Sequence, residues 1–426
     1  MSSSLMDLQT LTRDSWPSVA LRSLGSFEQL FWLLDQDRPV HFGMVAQVAG
    51  DATPDQWRRA LAQVQRRHPL LSAYIDTDVD GVPRFWRAHS APIPLRTILG
   101  NPESDWHRVM ELELVTPFDP EHAPLARAVL IQGDGRAAFM LLMHHSIGDA
   151  LAAAYVIRDT LLALSGARLE TLPVVPSQDE LIGERDVTTP MQRRAERPAR
   201  TTNATVRPPG GLAIPKVRSL RLPAAFTASL RARARDEGAS VHGALCAALV
   251  VAGRQTSSAW RNIPVRIVSA IQTRTMQDVG DCCGCYLSNT TQSFEGGAAS
   301  FWDLARLAKT GISRAREPES VNALVHAFQG LLAHGLDAPG ATDFVATGLA
   351  REAMLSNIGE LPFAGEFGRL KLEALWGPAW LGQFTEDQIV GAATIDGSLC
   401  LTLASLAPPE GLLETMQGTL AKACLA

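Results

Sequence analysis

Long apolar runs, basic clusters and paired cysteines are all scarce in this chain, and each scarcity excludes something. The most apolar stretch, around Leu245 to Ala252, is far shorter than the ~20 residues a membrane-spanning helix needs. The opening Met1–Asp7 segment has no basic region leading into an apolar core, so no secretory signal is expected and the expected location is cytoplasmic. A net charge of -5 without a basic cluster gives no general attraction to nucleic acid. Six cysteines in 426 residues do not make a disulfide framework. Cys282, Cys283 and Cys285 sit close together, but a zinc site would need a distant fourth ligand such as Cys246 or Cys400. Small buried core residues are the expected role, and no metal site is expected. No internal repeat is apparent.

What is present is an ordinary globular composition, 46% hydrophobic and 19% charged, in a chain long enough for two domains. The first half reads as α/β. A strand is expected at Met44–Ala49, a helix at Asp55–Arg67 started by Thr53-Pro54, and a strand at Leu71–Ile75 with a hairpin near Asp80-Gly81. A helix near Asp105–Val115 and a strand at Ala126–Gln132 follow, the latter paired across Gly133-Asp134-Gly135 with a second strand. Residues Leu172 to Pro215 carry seven prolines, many arginines and no aromatic residue, so they cannot build a core. The second half resumes with a strand Arg218–Leu222, a helix Pro223–Glu237 and a Ser240-capped helix Val241–Gly253, then a strand Ile263–Ile271. The expected organisation is an N-terminal lobe 1–171, a crossover linker 172–215 and a C-terminal lobe 216–426.

The stretch richest in chemistry is Met143-His144-His145-Ser146-Ile147-Gly148-Asp149-Ala150. It joins the nearly all-apolar strand Ala137–Met143 to a helix whose face carries Leu151, Ala154, Tyr155, Leu161 and Leu162. A histidine at a strand end can face a cleft, and its ordinary pKa near 6.5 suits proton transfer. Adjacent strand residues point to opposite faces, so only one of His144 and His145 can be the base, and the pattern alone does not say which. Asp149 reads as a helix N-cap. His41, His68 and His242 have no partner pattern and read as structural; Trp376 and Trp380 read as core rather than pocket.

Residues 144–150 resemble the HHxxxDG signature of the acyltransferase superfamily that includes condensation domains, wax ester synthases and polyketide-associated acyltransferases, with Ala150 where the signature has glycine. Other segments agree in order. Leu24–Phe31 and Arg38–Gly43 are similar to the opening of wax ester synthases, and Arg66–Leu71 resembles an RHxxLR segment. Pro117-Phe118-Asp119 with Pro124–Ala128 resembles the entry to the active-site strand. Gly284–Thr290 resembles GxFxNT, and Ser356–Gly359 an SNxG loop. The plant DFGWG motif is missing.

The resemblance implies an α/β fold of two chloramphenicol-acetyltransferase-like sandwich lobes, a pseudo-dimer with a tunnel between them, in a monomer. It implies His145 as catalytic base, His144 as an orienting residue, and Asp149 as structural support paired with an arginine. Arg274 is the expected partner and Arg67 the alternative. Ser146, Gly148, Asn289, Ser356 and Asn357 are expected against substrate. The reaction implied is transfer from acyl-CoA or an acyl chain on a phosphopantetheinyl carrier protein to a small-molecule hydroxyl, without a resident cofactor or an acyl-enzyme. Amide formation, release or cyclisation of a carrier-bound intermediate, and a non-catalytic carrier-protein-binding module are the alternatives.

Overall fold

The computed structural model describes residues 19–88, 91–183, 213–297, 299–382, 384 and 386–425. Most of the linker expected at 172–215 therefore lies outside the described residues. The first half runs β1 (Val19–Ser23), α1 (Ser26–Leu34), β2 (His41–Ala49), α2 (Pro54–Arg67), β3 (Ala73–Thr77) and β4 (Pro83–Arg87). It continues with β5 (Leu95–Leu99), α3 (Trp106–Glu113), β6 (Ala126–Gly133), β7 (Arg136–His144), α4 (Ala150–Leu164) and α5 (Gln178–Ile182). The second half opens with β8 (Lys216–Leu222), α6 (Ala224–Asp236), α7 (Val241–Thr256), β9 (Val265–Gln272), α8 (Arg274–Gln277) and β10 (Leu287–Phe294). Three helices follow, α9 (Phe301–Ala315), α10 (Pro318–Ala333) and α11 (Ala338–Gly348). The chain ends in β11 (Ala353–Glu360), β12 (Glu366–Phe367), β13 (Leu370–Trp380), β14 (Gln388–Ile395), β15 (Ser398–Ser405) and α12 (Leu412–Leu425).

Two six-stranded sheets carry the fold, β12-β13-β2-β7-β6-β5 and β10-β9-β11-β14-β15-β8, with a small third sheet β1-β4-β3. The sheets do not divide where the linker divides the chain. β13 leaves the second half and pairs antiparallel with β2, Trp380 opposite Phe42 and Lys371 opposite Ala49. Where the two sheets meet, Gly391 of β14 lies against the backbone of Gly377-Pro378 in β13, so closely that any side chain at 391 would collide with it. Gly377 itself has φ +111, a conformation that favours glycine.

Local sequence explains the elements around the site. Thr53 and Gln56 close a capping box on α2, Pro54 takes its first turn, and Arg66 and Arg67 sit at its negative end. The buried face of α2 puts Trp57 flat on Phe139 of β7, ring centroids 4.7 Å apart. Losing such a ring typically costs ~3–5 kcal/mol. β7 lies between β2 and β6, which is why Ala137 to Met143 are uniformly apolar and buried. Two expected boundaries move. Residues Pro69–Ser72 form a 3-10 turn and the strand starts only at Ala73; Leu71 is buried by that turn, so its apolarity reports packing rather than a strand. Likewise β9 begins at Val265, directly after Pro264, which has no N–H to give to a ladder.

Candidate active site

β7 delivers the two histidines to the centre of the molecule, and they part company there. His144 is fully buried; its Nδ1 accepts from Ser146 N at 3.2 Å and its Nε2 lies 3.7 Å from Asp35 Oδ1. It organises the turn rather than meeting a ligand. His145 instead lines a cavity of ≈ 1250 Å³, part of it open to solvent. The ring of His145 stacks on Phe31, centroids 4.1 Å apart at 17°, and leans on Phe42 at 5.0 Å. Its Nδ1 is shut away without a well-formed hydrogen bond, so Nε2 is the nitrogen left to face the cavity. Burial pulls its pKa down to about 4, against the opposing pull of nearby backbone carbonyls and of Asp149. The imidazole is therefore neutral at pH 7, with a lone pair free to accept a proton.

Asp149 caps α4 through Oδ1, which accepts from Ala152 N at 2.8 Å. Its Oδ2 accepts from Arg274 Nη2 at 3.0 Å and from Tyr286 N at 2.9 Å. Arg274 is the partner; Arg67 bonds Asp159 instead. The guanidinium also donates to the carbonyls of Cys282 (2.9 Å) and Gly284 (2.7 Å), and lies 5.0 Å from the Tyr286 ring. These charge-assisted bonds outweigh the desolvation that opposes them and hold Arg274 protonated, its pKa raised above the usual guanidinium value. The segment after β9 thus grips the start of α4.

The run Cys282-Cys283-Gly284-Cys285 finds its purpose in that grip. Cys283 Sγ donates to Ile147 O at 3.2 Å, inside the histidine turn, and Cys283 N donates to His68 Nδ1 at 3.2 Å. All three cysteines are free and buried, and burial pushes each thiol up from its ordinary pKa. Among the described residues no group of histidine, cysteine, aspartate or glutamate is arranged to hold a metal ion.

Of the remaining expected site residues, Asn289, Ser356 and Asn357 line the cavity. Ser146 and Gly148 do not. Ser146 is fully buried and its Oγ donates to Glu28 O at 2.7 Å, so it faces α1 and cannot meet a reacting carbonyl. Gly148 is packed between Met143 and Ala152, where an added Cβ would stand 2.7 Å from Met143 Cε. Ala150, in the motif's glycine position, opens α4 and turns toward the cavity. Trp376 packs on Trp106 in the core, whereas Trp380 lines the cavity.

Sequence reasoning missed two parts of the site. One is Phe31, which becomes visible only when α1 is docked on β7. The other is a buried network in which Asp159 binds His68 Nε2 (2.9 Å), Arg67 (2.6 Å) and Arg158 (2.7 Å), while Arg158 binds Asp281 (2.5 Å). Its signal was an aspartate on the buried side of an apolar helix, since a buried charge requires partners.

Comparison with known proteins agrees with this architecture. Residues 212–278 match the sequence family described as phthiocerol/phthiodiolone dimycocerosyl transferase C-terminus. Malpibaldin synthetase of Mortierella alpina is 30% identical over 148 residues, 32% of this chain but only 3% of that synthetase's own length. Polyketide synthase associated protein 5 from Mycobacterium tuberculosis superposes with a TM-score of 0.63 at 18% identity, over 96% of this chain and 99% of that one. The first condensation domain of the CDA synthetase gives 0.63 at 17% identity, over 95% of each chain. A trichothecene 15-O-acetyltransferase from Fusarium sporotrichioides gives 0.65 at 11% identity, over 98% and 96%. The chain thus has the chloramphenicol-acetyltransferase-like pseudo-dimer fold that condensation domains and related acyltransferases share.

Proposed function

We propose that this chain transfers an acyl group from a thioester, carried by coenzyme A or by a carrier protein, to a hydroxyl acceptor. The single observation that carries the reading is the His145 imidazole at the wall of a mainly apolar cavity lined from both sheets, where burial favours its neutral form. His145 Nε2 takes the acceptor's proton as its oxygen attacks the thioester carbonyl. The tetrahedral oxyanion collapses, the C–S bond breaks, and the proton passes to the departing thiolate; an ester and a free thiol result. His144 orients the turn, and Asp149 with Arg274 holds it. Asn289, Ser356 and Asn357 supply the polar contacts to substrate. The oxyanion donor is not Ser146, whose hydroxyl is committed to Glu28, which leaves groups on the opposite cavity wall for that part.

The similarity to acyltransferases and condensation domains supports acyl transfer, and a dimycocerosyl transferase family and an O-acetyltransferase among them favour an oxygen acceptor. The cavity is lined from both sheets around one base, which supports two substrates meeting there, the arrangement that converts a two-molecule reaction into an effectively unimolecular one. We further propose that the protein acts as a monomer of two lobes, 1–171 and 216–426, joined by the segment between them. The test is to offer a panel of acyl thioesters with alcohol acceptors and to weigh the products by mass spectrometry. New ester with release of thiol, and no acylated protein when donor is given alone, is the expected result. A stable acyl adduct on the protein, or no product from any pairing, would overturn the mechanism.

A further inference from the structure

The charges that meet the cavity around His145 bear on what it can admit, and this inference rests on the acyl-transfer reading only for its consequence, not for its geometry. Consider every charged group that meets the cavity. Among the described residues that line it, the ionised side chains are Asp149 and Arg351. Asp149 is spent on Arg274, Tyr286 N and Ala152 N. Arg351 is itself cationic and bonds Asp387 at 2.8 Å. Behind His145, Asp35 faces His144, and Glu28 of α1 is held by Arg22 at 2.6 Å. From α10 and α11 the cavity receives Phe328, Val345 and Leu349, none of them charged. Among the described residues that line it, the cavity offers no uncommitted carboxylate to an entering cation.

The ring contacts point the same way. A cation can be held by the face of an aromatic ring, worth about 0.5–2 kcal/mol. Here His145 covers one face of Phe31 at 4.1 Å and 17°, and Phe42 tilts against the same imidazole. The two rings nearest the base are thus packed on it, and Tyr286, farther along the wall, already faces the Arg274 guanidinium. Phe31 and Phe42 give the imidazole apolar neighbours, so a lasting positive charge beside it is disfavoured. Burial of His145 lowers its affinity for a proton, in keeping with this geometry.

We propose that Phe31, stacked on His145 and backed by Phe42, is a specificity-determining residue that restricts the acceptor to an uncharged, lipophilic nucleophile and excludes an alkylammonium of the same skeleton. An alcohol enters neutral at any working pH. A primary alkylamine, with an ordinary pKa near ~10.4, must shed its proton in bulk water first. At pH 7 only about one molecule in ~2,500 is in the form the cavity accepts. An arylamine, neutral at pH 7, should enter as the alcohol does.

The test compares octanol, octylamine and butylaniline on the wild-type protein and on Phe31→Ala and Phe31→Leu, by ligand-observed NMR binding and by acyl transfer. Wild type is expected to bind octanol and butylaniline at least tenfold more tightly than octylamine at pH 7. Transfer to octylamine should rise about tenfold per pH unit from pH 7 to 9, while transfer to octanol stays flat. Phe31→Ala, which admits water, should narrow the binding discrimination and move the NMR titration of His145 upward toward ordinary histidine; Phe31→Leu, which stays apolar, should keep more of both. Equal binding of octylamine and octanol at pH 7 would overturn the proposal. So would full discrimination in Phe31→Ala with an unmoved His145 titration. If binding discriminates but no acceptor is acylated, charge selection stands and the acyltransferase reading falls.

Discussion

Two short segments meet at the centre of this protein, and they are built for opposite ends. The turn from His144 to Ala150 offers one reactive nitrogen to the cavity, and nearly every other polar group in it is committed inward. The segment from Arg274 to Tyr286 offers almost no chemistry to substrate; its guanidinium, amides and thiol are spent on holding that turn. The first comes from one half of the chain and the second from the other, 125 residues apart at the Asp149–Arg274 pair. Reactivity and rigidity are thus assigned to different stretches of sequence. A change in one should be separable from a change in the other.

The largest separation is expected from His145→Ala. Loss of a general base costs ~10²–10⁴-fold in rate. Thioester binding should stay near wild type, while melting temperature falls only modestly with the lost stacking on Phe31 and Phe42. Turnover, donor binding and thermal unfolding measured on one preparation will check this; near-wild-type turnover would remove His145 from the mechanism.

Breaking the grip should do the reverse. Asp149→Ala strands the Arg274 guanidinium in the interior, and breaking such a buried pair costs on the order of 3–5 kcal/mol. Denaturant unfolding should register that loss, with turnover falling alongside. Adding Arg274→Met should restore part of the stability, since the cost lies in the uncompensated charge. A double variant less stable than Asp149→Ala alone would show that the arginine stabilises by its carbonyl bonds instead.

pH sharpens the contrast further. His145 has its pKa lowered to about 4 in the folded protein, whereas an unfolded histidine titrates near ~6.5. Turnover should stay level from pH 8 to about 5 and fall as the base is protonated near 4. For stability the sign follows from proton counting. Between pH ~6.5 and about 4 the unfolded chain binds the proton that the native ring refuses, so this residue's contribution to stability falls as pH falls through that window. His145→Ala should lose stability less steeply there. Identical slopes for the two proteins would mean that the native ring titrates normally.

The smallest effect is expected at the thiol. Cys283→Ala removes the bond to Ile147 O, worth roughly 0.5–1.5 kcal/mol at most. Cys283→Ser can still donate and should recover turnover. If serine and alanine behave alike, the thiol is a packing group and the grip is carried by Arg274 and the Cys283 amide on His68.

Much of this architecture was legible along the chain. β7 and α4 announced themselves through an unbroken apolar run and a 3.6-residue stripe, and Asp149 through its place before that helix. The α2 boundaries followed from Thr53-Pro54. What was harder to read shares one cause. Ser146 beside two histidines looked fit to meet a carbonyl, yet α1 lies over it and takes its hydroxyl. Gly148 looked like room for substrate and is room for Met143. Asp159 sits among apolar neighbours in α4, and its partners His68 and Arg67 come from the end of α2, 91 and 92 residues away in the chain.

By itself the sequence determined the repeating pattern of each element, the caps that start the helices, and the signature that put a histidine pair at a strand end. Those follow from periodicity and backbone chemistry within a few residues. Tertiary structure alone decided what lies across each face. β7 ends at His144 and His145 opens the 3-10 turn that follows, so the two side chains part there, but only the docking of α1 and of the second sheet made one side a sealed core and the other a cavity. The same docking laid Phe31 on the base and brought Arg274 to Asp149. Side-chain direction is set locally, whereas the environment a side chain meets is set by segments far away in the chain, and the chemistry of His145 depends on that environment.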